Sequence, residues 1–150
     1  YFINDARQLQ PVESDWRLEA KRIVGLMDKL EERADSFRLT GGVHSASLAD
    51  ESGIIVYYED IGRHNAVDKG LGYTVLNEVL ANNKCLLLSG RIASEILIKA
   101  VRGNIPIILS RAAPTQLALD LAEELNVCIV GFVRGEKLTV YTHPEKIIFD

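Results

Sequence analysis

Lys84-Cys85-Leu86-Leu87-Leu88-Ser89-Gly90-Arg91 and Ile105-Pro106-Ile107-Ile108-Leu109-Ser110-Arg111 decide the fold. Each is a short, continuous apolar run that ends in a serine and an arginine, and each leads into a helical pattern. The first helix spans Ile92 to Arg102, with amphipathic spacing, and stops at Gly103. The second has Pro114 in its first turn, reaches about Leu125 and stops at Asn126. Val127–Phe132 then reads as a third apolar strand. Apolar strands alternating with helices predict a parallel sheet covered on both faces. Right-handed crossovers then set the strand-to-helix junctions along one edge. Ser89 and Ser110 lie twenty-one residues apart, so the two units form a weak internal repeat.

Residues 1–14 are polar and irregular. From Asp15 to about Ser36, Leu18, Ile23, Leu26, Met27 and Leu30 recur at helical spacing, with Ser14 or Asp15 as the cap. A short strand ends at Thr40, and Gly41-Gly42 permits a sharp turn. His44-Ser45-Ala46-Ser47 continues as a helix start or as a second strand. Asp50-Glu51-Ser52-Gly53 is a turn, 54–58 a strand, and Ala66 to Leu80 a helix ending at Asn82-Asn83. Leu138–Tyr141 is a last strand, and the tail after it is irregular. The reading divides the chain into a lead-in and helix, 1–36, and an α/β domain, 37–150.

At 150 residues the chain can bury one sizeable core. A net charge of −4 gives no basic face of the kind that binds DNA or RNA, so any anionic ligand needs a local cluster of cations and backbone amides. The apolar runs are too short for a membrane span, and no secretory signal opens the chain. Cys85 and Cys128 sit within apolar strands and read as core residues; there is no CxxC, hence no zinc ribbon and no dithiol centre. Two buried thiols without a disulfide framework fit a reducing cytoplasm. The chain begins at Tyr1 rather than methionine, which leads us to expect further sequence on the N-terminal side.

The most polar junction is Glu59-Asp60-Ile61-Gly62-Arg63-His64-Asn65-Ala66-Val67-Asp68-Lys69, set between a strand and a helix. An α/β protein places its ligand at such a junction. Helix N-termini present unpaired amides and a positive dipole end, and arginine adds a fork matched to phosphate. Ser89, Arg91, Ser110, Arg111 and Thr115 therefore compose a phosphate cradle, with Arg63, His64 and Lys69 as further cations. Ser and Thr at helix starts are ordinarily caps, so recurrence rather than any single residue carries the reading. Asp60 and Asp68 are placed to hold the cations or to accept from a base or sugar. His44 and His143 stand alone beside turns, where a satisfied structural role is the ordinary one. No HxxxH or HxE pattern makes a metal site, and no GxSxG a hydrolase. The residues describe a domain for a phosphorylated, nucleotide-like ligand and name no reaction.

Four motifs together resemble one family. They are Thr40-Gly41-Gly42-Val43-His44-Ser45-Ala46, the run from Glu59 to Lys69, Ser89-Gly90-Arg91 with Ser110-Arg111-Ala112-Ala113-Pro114-Thr115, and Val130-Gly131-Phe132 with Tyr141-Thr142-His143-Pro144. Their order and spacing, from about residue 37 to about residue 147, resemble the formate dehydrogenase accessory sulfurtransferases, FdhD. The resemblance implies a three-layer α/β sandwich with a mostly parallel central sheet, similar to that of cytidine deaminases. It implies sulfur transfer from a cysteine desulfurase to the molybdenum cofactor of formate dehydrogenase, in the cytoplasm and as a homodimer. The client cofactor is then bis-molybdopterin guanine dinucleotide, which GDP mimics, and zinc has no part. Matched to the motifs, the pocket residues are His44, Asp60, Gly62, Arg63, His64, Asn65, Lys69, Ser89, Arg91, Ser110, Arg111, Thr115 and Tyr141. The family carries persulfide on a CxxC ahead of this region, which this chain lacks, so no catalytic residue is assigned. A fragment holding the pocket without the sulfur-carrying loop is the expectation, and a non-catalytic nucleotide-binding module is the alternative. Zinc-dependent deamination would need HxE and PCxxC, and neither is present.

Overall fold

The protein is described by a computed structural model covering residues 9–36, 44–60 and 63–149; for residues 33–36, 44, 59–60 and 63–65 the description extends to the backbone alone. The elements are β1 (Leu18–Glu19), α1 (Ala20–Ser36), β2 (His44–Asp50), β3 (Gly53–Asp60), α2 (Arg63–Leu76), β4 (Cys85–Leu88), α3 (Ser94–Arg102), β5 (Ile107–Ser110), α4 (Gln116–Leu125), β6 (Cys128–Arg134), β7 (Lys137–Val140), a 3-10 turn (Pro144–Lys146) and β8 (Ile147–Ile148). Six strands form one sheet in the order β3-β2-β4-β5-β6-β7.

The three strands of the repeat, β4, β5 and β6, are parallel as expected. The sheet as a whole is mixed, which corrects the expectation of a mostly parallel one: β2–β3, β2–β4 and β6–β7 pair antiparallel. For β2 and β3 the cause lies in connection length. Asp50 and Gly53 close a two-residue hairpin loop, with Asp50 Oδ1 accepting from the Ser52 amide at 2.9 Å, and a loop that short permits only an antiparallel return. His44–Ser47 is thereby settled as strand rather than helix.

The sheet separates two apolar layers. Leu86, Leu88, Ile108 and Ile129 point to one face, where they meet Ala66 and Val67 of α2, Ile96, Leu97 and Ala100 of α3, and Ala118 and Ala122 of α4. Cys85, Leu87, Ile107, Leu109 and Val130 point to the other, against Ile23, Leu26, Met27 and Leu30 of α1. The alternation within β4 and β5 makes both faces apolar, and this forces the three-layer arrangement. The helix placed ahead of the α/β domain thus supplies the layer over the second face of the sheet.

Both ends of the described chain meet on one side. β1 pairs in parallel with β8, Leu18 opposite Ile147, so the tail is ordered where the sequence reads as irregular. Ser14 does not cap α1; its hydroxyl donates to the Asn82 carbonyl and accepts from the Trp16 amide. Lys146, 5% exposed, donates its ammonium to the Ser14 carbonyl at 3.1 Å.

Thr142 fixes β7 against β6. Its buried hydroxyl donates to the Val127 carbonyl at 2.7 Å and accepts from the Ile129 amide at 2.9 Å. Thr142→Val keeps the shape and removes both bonds, so we expect a loss of about 1–3 kcal/mol, read from the urea midpoint. The thiols give a second test. Burial pushes the Cys128 thiol up to about 12 from an ordinary 9.0, and burial raises Cys85 as well. The fold therefore favours the neutral thiols: their contribution is fully present below pH 9 and is lost as pH rises toward 12. An aromatic disulfide reagent at pH 8 should label neither cysteine until denaturant is added, and thermal stability should fall between pH 9 and pH 12.

Candidate functional site

β3 and β4 both run antiparallel to β2, so they point the same way, and β5 is parallel to β4. The β3–α2, β4–α3 and β5–α4 junctions consequently share one rim of the sheet. The conserved direction follows from two antiparallel steps in succession rather than from an all-parallel sheet. The N-terminal end of β2 reaches the same rim, with His44 paired in register with Asp60.

Hydrogen bonds sew the rim together. Ser45 and Ser89 are joined twice: the Ser89 amide donates to the Ser45 carbonyl at 3.1 Å, and the Ser45 amide donates to the Ser89 hydroxyl at 3.0 Å. The Ser110 hydroxyl, wholly buried, donates to the Gly90 carbonyl at 2.6 Å and accepts from the Ala112 amide at 3.0 Å. The loops after β4 and β5 then lie side by side, with the Thr115 amide on the Ile92 carbonyl at 3.0 Å and an Ile92–Pro114 bridge. The Phe132 amide closes the far end on the Ala112 carbonyl at 3.3 Å. Gly131 permits this approach. A Cβ there would stand 3.0 Å from the Ala112 carbonyl oxygen and 3.0 Å from the Tyr141 ring.

The expected pocket residues divide into distinct roles. Ser110 and Thr115 spend their hydroxyls internally; Thr115 is the N-cap of α4 and accepts from the Ala118 amide at 3.2 Å. Ser89 holds β2, as above. Arg91 is exposed on the loop between β4 and α3, ahead of a helix whose N-cap, Ala93, offers no side-chain bond. Arg63, His64 and Asn65 form the first turn of α2 by their backbone. In the same helix Ala66 and Val67 are buried, Lys69 is exposed, and Asp68 pairs with Lys99 of α3 at 2.9 Å. Tyr141 is half-buried beside Gly131, and its amide donates to the Ile129 carbonyl. Gly62 lies outside the described residues, as do Thr40, Gly41 and Gly42. His143, not among the expected site residues, lies on α4: its Nε2 is 2.9 Å from the Glu123 carbonyl, and its Nδ1 3.0 Å from Glu145.

Arg111 leaves the rim for the α1 layer. Its Nε is 2.8 Å from Glu31 Oε1, and its Nη2 3.4 Å from Asp28 Oδ1. The sequence reading missed both carboxylates. Their spacing of three residues on the polar face of α1 was the available signal, but nothing local says that an arginine eighty residues later meets them. A cavity of about 1010 Å³ lies between α1 and the β6–β7 hairpin, lined by Val24, Asp28, Phe132, Arg134, Leu138 and Phe149 among others, and none of the expected pocket residues lines it. Among the described residues no group of three His, Cys, Asp or Glu side chains is placed to hold a metal. Likewise no helix there is long and apolar enough to cross a membrane.

The chain has counterparts among known proteins. Residues 1–148 match the FdhD/NarQ family. The sulfur carrier protein FdhD of Geobacillus kaustophilus is 43% identical over 148 residues, which is 99% of this chain and 56% of the relative. That of Bacillus subtilis is 41% identical over 147 residues, again 56% of the relative. A crystal structure from Desulfotalea psychrophila, described as a formate dehydrogenase accessory protein, superposes with a TM-score of 0.87 at 33% identity, covering 97% of this chain and 62% of that one. The chain spans just over half the length of the curated relatives it matches. With the motif order, the three-layer fold and these likenesses in agreement, the chain belongs to the FdhD/NarQ family.

Proposed function

We propose that this chain is the cofactor-holding part of a sulfur carrier serving formate dehydrogenase, and that its rim grips the guanylate ends of bis-molybdopterin guanine dinucleotide. The observation that carries this reading is the alignment of three strand-to-helix junctions on one rim, with the family's most specific run at the first of them. Three helices begin at this rim, where first-turn amides have no intrahelical acceptor, and Arg91 and Lys69 are exposed cations. Such a surface suits phosphate oxygens. Asp60 and His44, register partners on the adjoining strands, are assigned to the base and sugar. The cofactor is the substrate in this reading, received and handed on, and zinc has no part.

Sulfur would come from a cysteine desulfurase and go to the cofactor of formate dehydrogenase. Persulfide exchange needs an accessible thiolate, which attacks the donor's sulfane sulfur and releases the donor's thiolate. Cys85 and Cys128 are fully buried, and burial holds both protonated, so neither is assigned that step. The same observation favours a second reading of the chain by itself: a nucleotide-binding module without catalysis. Sulfurtransferase activity belongs in this proposal to a longer protein that bears the family's CxxC. A cytoplasmic homodimer is the proposed working state, and the kinship with cytidine deaminases is proposed as one of architecture without the deaminase chemistry.

Titration calorimetry with GDP tests the rim. The chain should bind GDP, and Arg91→Ala should weaken binding roughly tenfold through loss of a charge-assisted phosphate contact. Absence of GDP binding by the unaltered chain would overturn the reading. Incubated with a persulfide-loaded desulfurase, the chain should acquire no added sulfur by mass spectrometry.

A further inference from the structure

Arg111 is the cation of the rim whose partners belong to another layer. Its backbone sits in the β5–α4 loop, directly after the buried Ser110 hydroxyl, while its guanidinium reaches Asp28 and Glu31 of α1. The fit is incomplete. The Nε is shielded from solvent and stands 2.8 Å from Glu31 Oε1, yet it makes no aligned hydrogen bond. The Nη2 contact to Asp28 is 3.4 Å, long for an ionic hydrogen bond, which ordinarily spans about 2.7–2.9 Å. An arginine bound by carboxylate in its preferred way makes two short parallel bonds to one group. Here two carboxylates make one poor contact each and leave a shielded donor unused. Both acids are also open to water, with side chains 57% and 33% exposed, so either can turn to solvent at small cost.

We propose that Asp28 and Glu31 are an internal stand-in for an anionic ligand: they hold the Arg111 guanidinium on α1 and compete with an incoming phosphate for it. This rests on the phosphate reading of the rim and adds its regulation. A phosphate offers tetrahedrally disposed oxygens in place of one misaligned carboxylate and one long contact, and it satisfies the Nε donor. Capture of Arg111 by ligand then frees Asp28 and Glu31, so the α1 layer registers occupancy of the rim through two released charges. Affinity for the ligand is set partly by acids that need not touch it.

Calorimetric titration of the full 150-residue chain with GDP separates the possibilities. Neutralising the competitors in Asp28→Asn/Glu31→Gln should tighten GDP binding roughly threefold to fivefold. The gain should vanish in an Arg111→Gln background, which distinguishes competition for Arg111 from a general loss of negative charge. The Arg111 Nε–H resonance of the unaltered chain should also move on addition of GDP. Glu31→Gln alone serves if the double variant melts early. Unchanged or weaker binding in the neutralised variants would overturn the proposal and would make the ion pair a scaffold for the loop. A gain that persists without Arg111, or an Arg111 resonance that ignores GDP, would also overturn it. If the unaltered chain binds no GDP, the rim reading itself fails, and that result is distinct from binding that the acids do not modulate.

Discussion

A single buried hydroxyl organises the rim on which three strand-to-helix junctions meet. Ser110 has no access to water, so its oxygen must be satisfied within the fold, and it is satisfied by two different loops: the Gly90 carbonyl behind β4 and the Ala112 amide behind β5. That pairing sets the distance between the first loop and the second. The Ser45–Ser89 pair does the same between β2 and the first loop, and the Phe132 amide extends the seam to β6. The rim is therefore a cross-linked row of turns, not a set of independent caps. A ligand bound there would meet backbone that has already lost its freedom, and so would incur little reordering cost.

Much of this was legible in the sequence. The apolar runs at 85–88, 105–109 and 127–132 and the helices between them follow from periodicity; the strands form within two residues of those bounds, in the parallel order that the crossovers require. Two things were not legible. The hairpin that makes the sheet mixed turns on whether His44–Ser47 is helix or strand, and Ser, Ala and His carry no decisive propensity; pairing with β3 and β4 decides it. Ile147-Ile148 is too short to announce a strand without β1 beside it, so the tail reads as irregular.

At the site, position was easier to read than role. Ser89, Ser110 and Thr115 fall on the predicted rim, where the two serine hydroxyls are bonded into the seam and the Thr115 hydroxyl caps α4, contacts that sequence alone does not show. Asp68 is bound to Lys99, a partner that spacing along the chain cannot reveal. Arg111 illustrates the limit most sharply. Its neighbours in sequence describe a phosphate loop, while its neighbours in space are carboxylates on the helix ahead of the α/β domain. The two cysteines went the other way: their burial was evident from the strands that contain them, and the raised thiols follow from burial alone.

The parallel contact of β1 with β8 has a mechanical consequence. Leu18 and Glu19 lie beside Ile147 and Ile148, and the Lys146 ammonium grips the Ser14 carbonyl nearby. Tension between the segment ahead of Ser14 and the segment after Phe149 would slide these strands lengthwise, loading their bonds together instead of one after another. Ahead of the clasp Val12 is also pinned, its amide on the Leu125 carbonyl and its carbonyl on the Asn126 side chain, so tension on that flank loads these bonds together with the short shear joint.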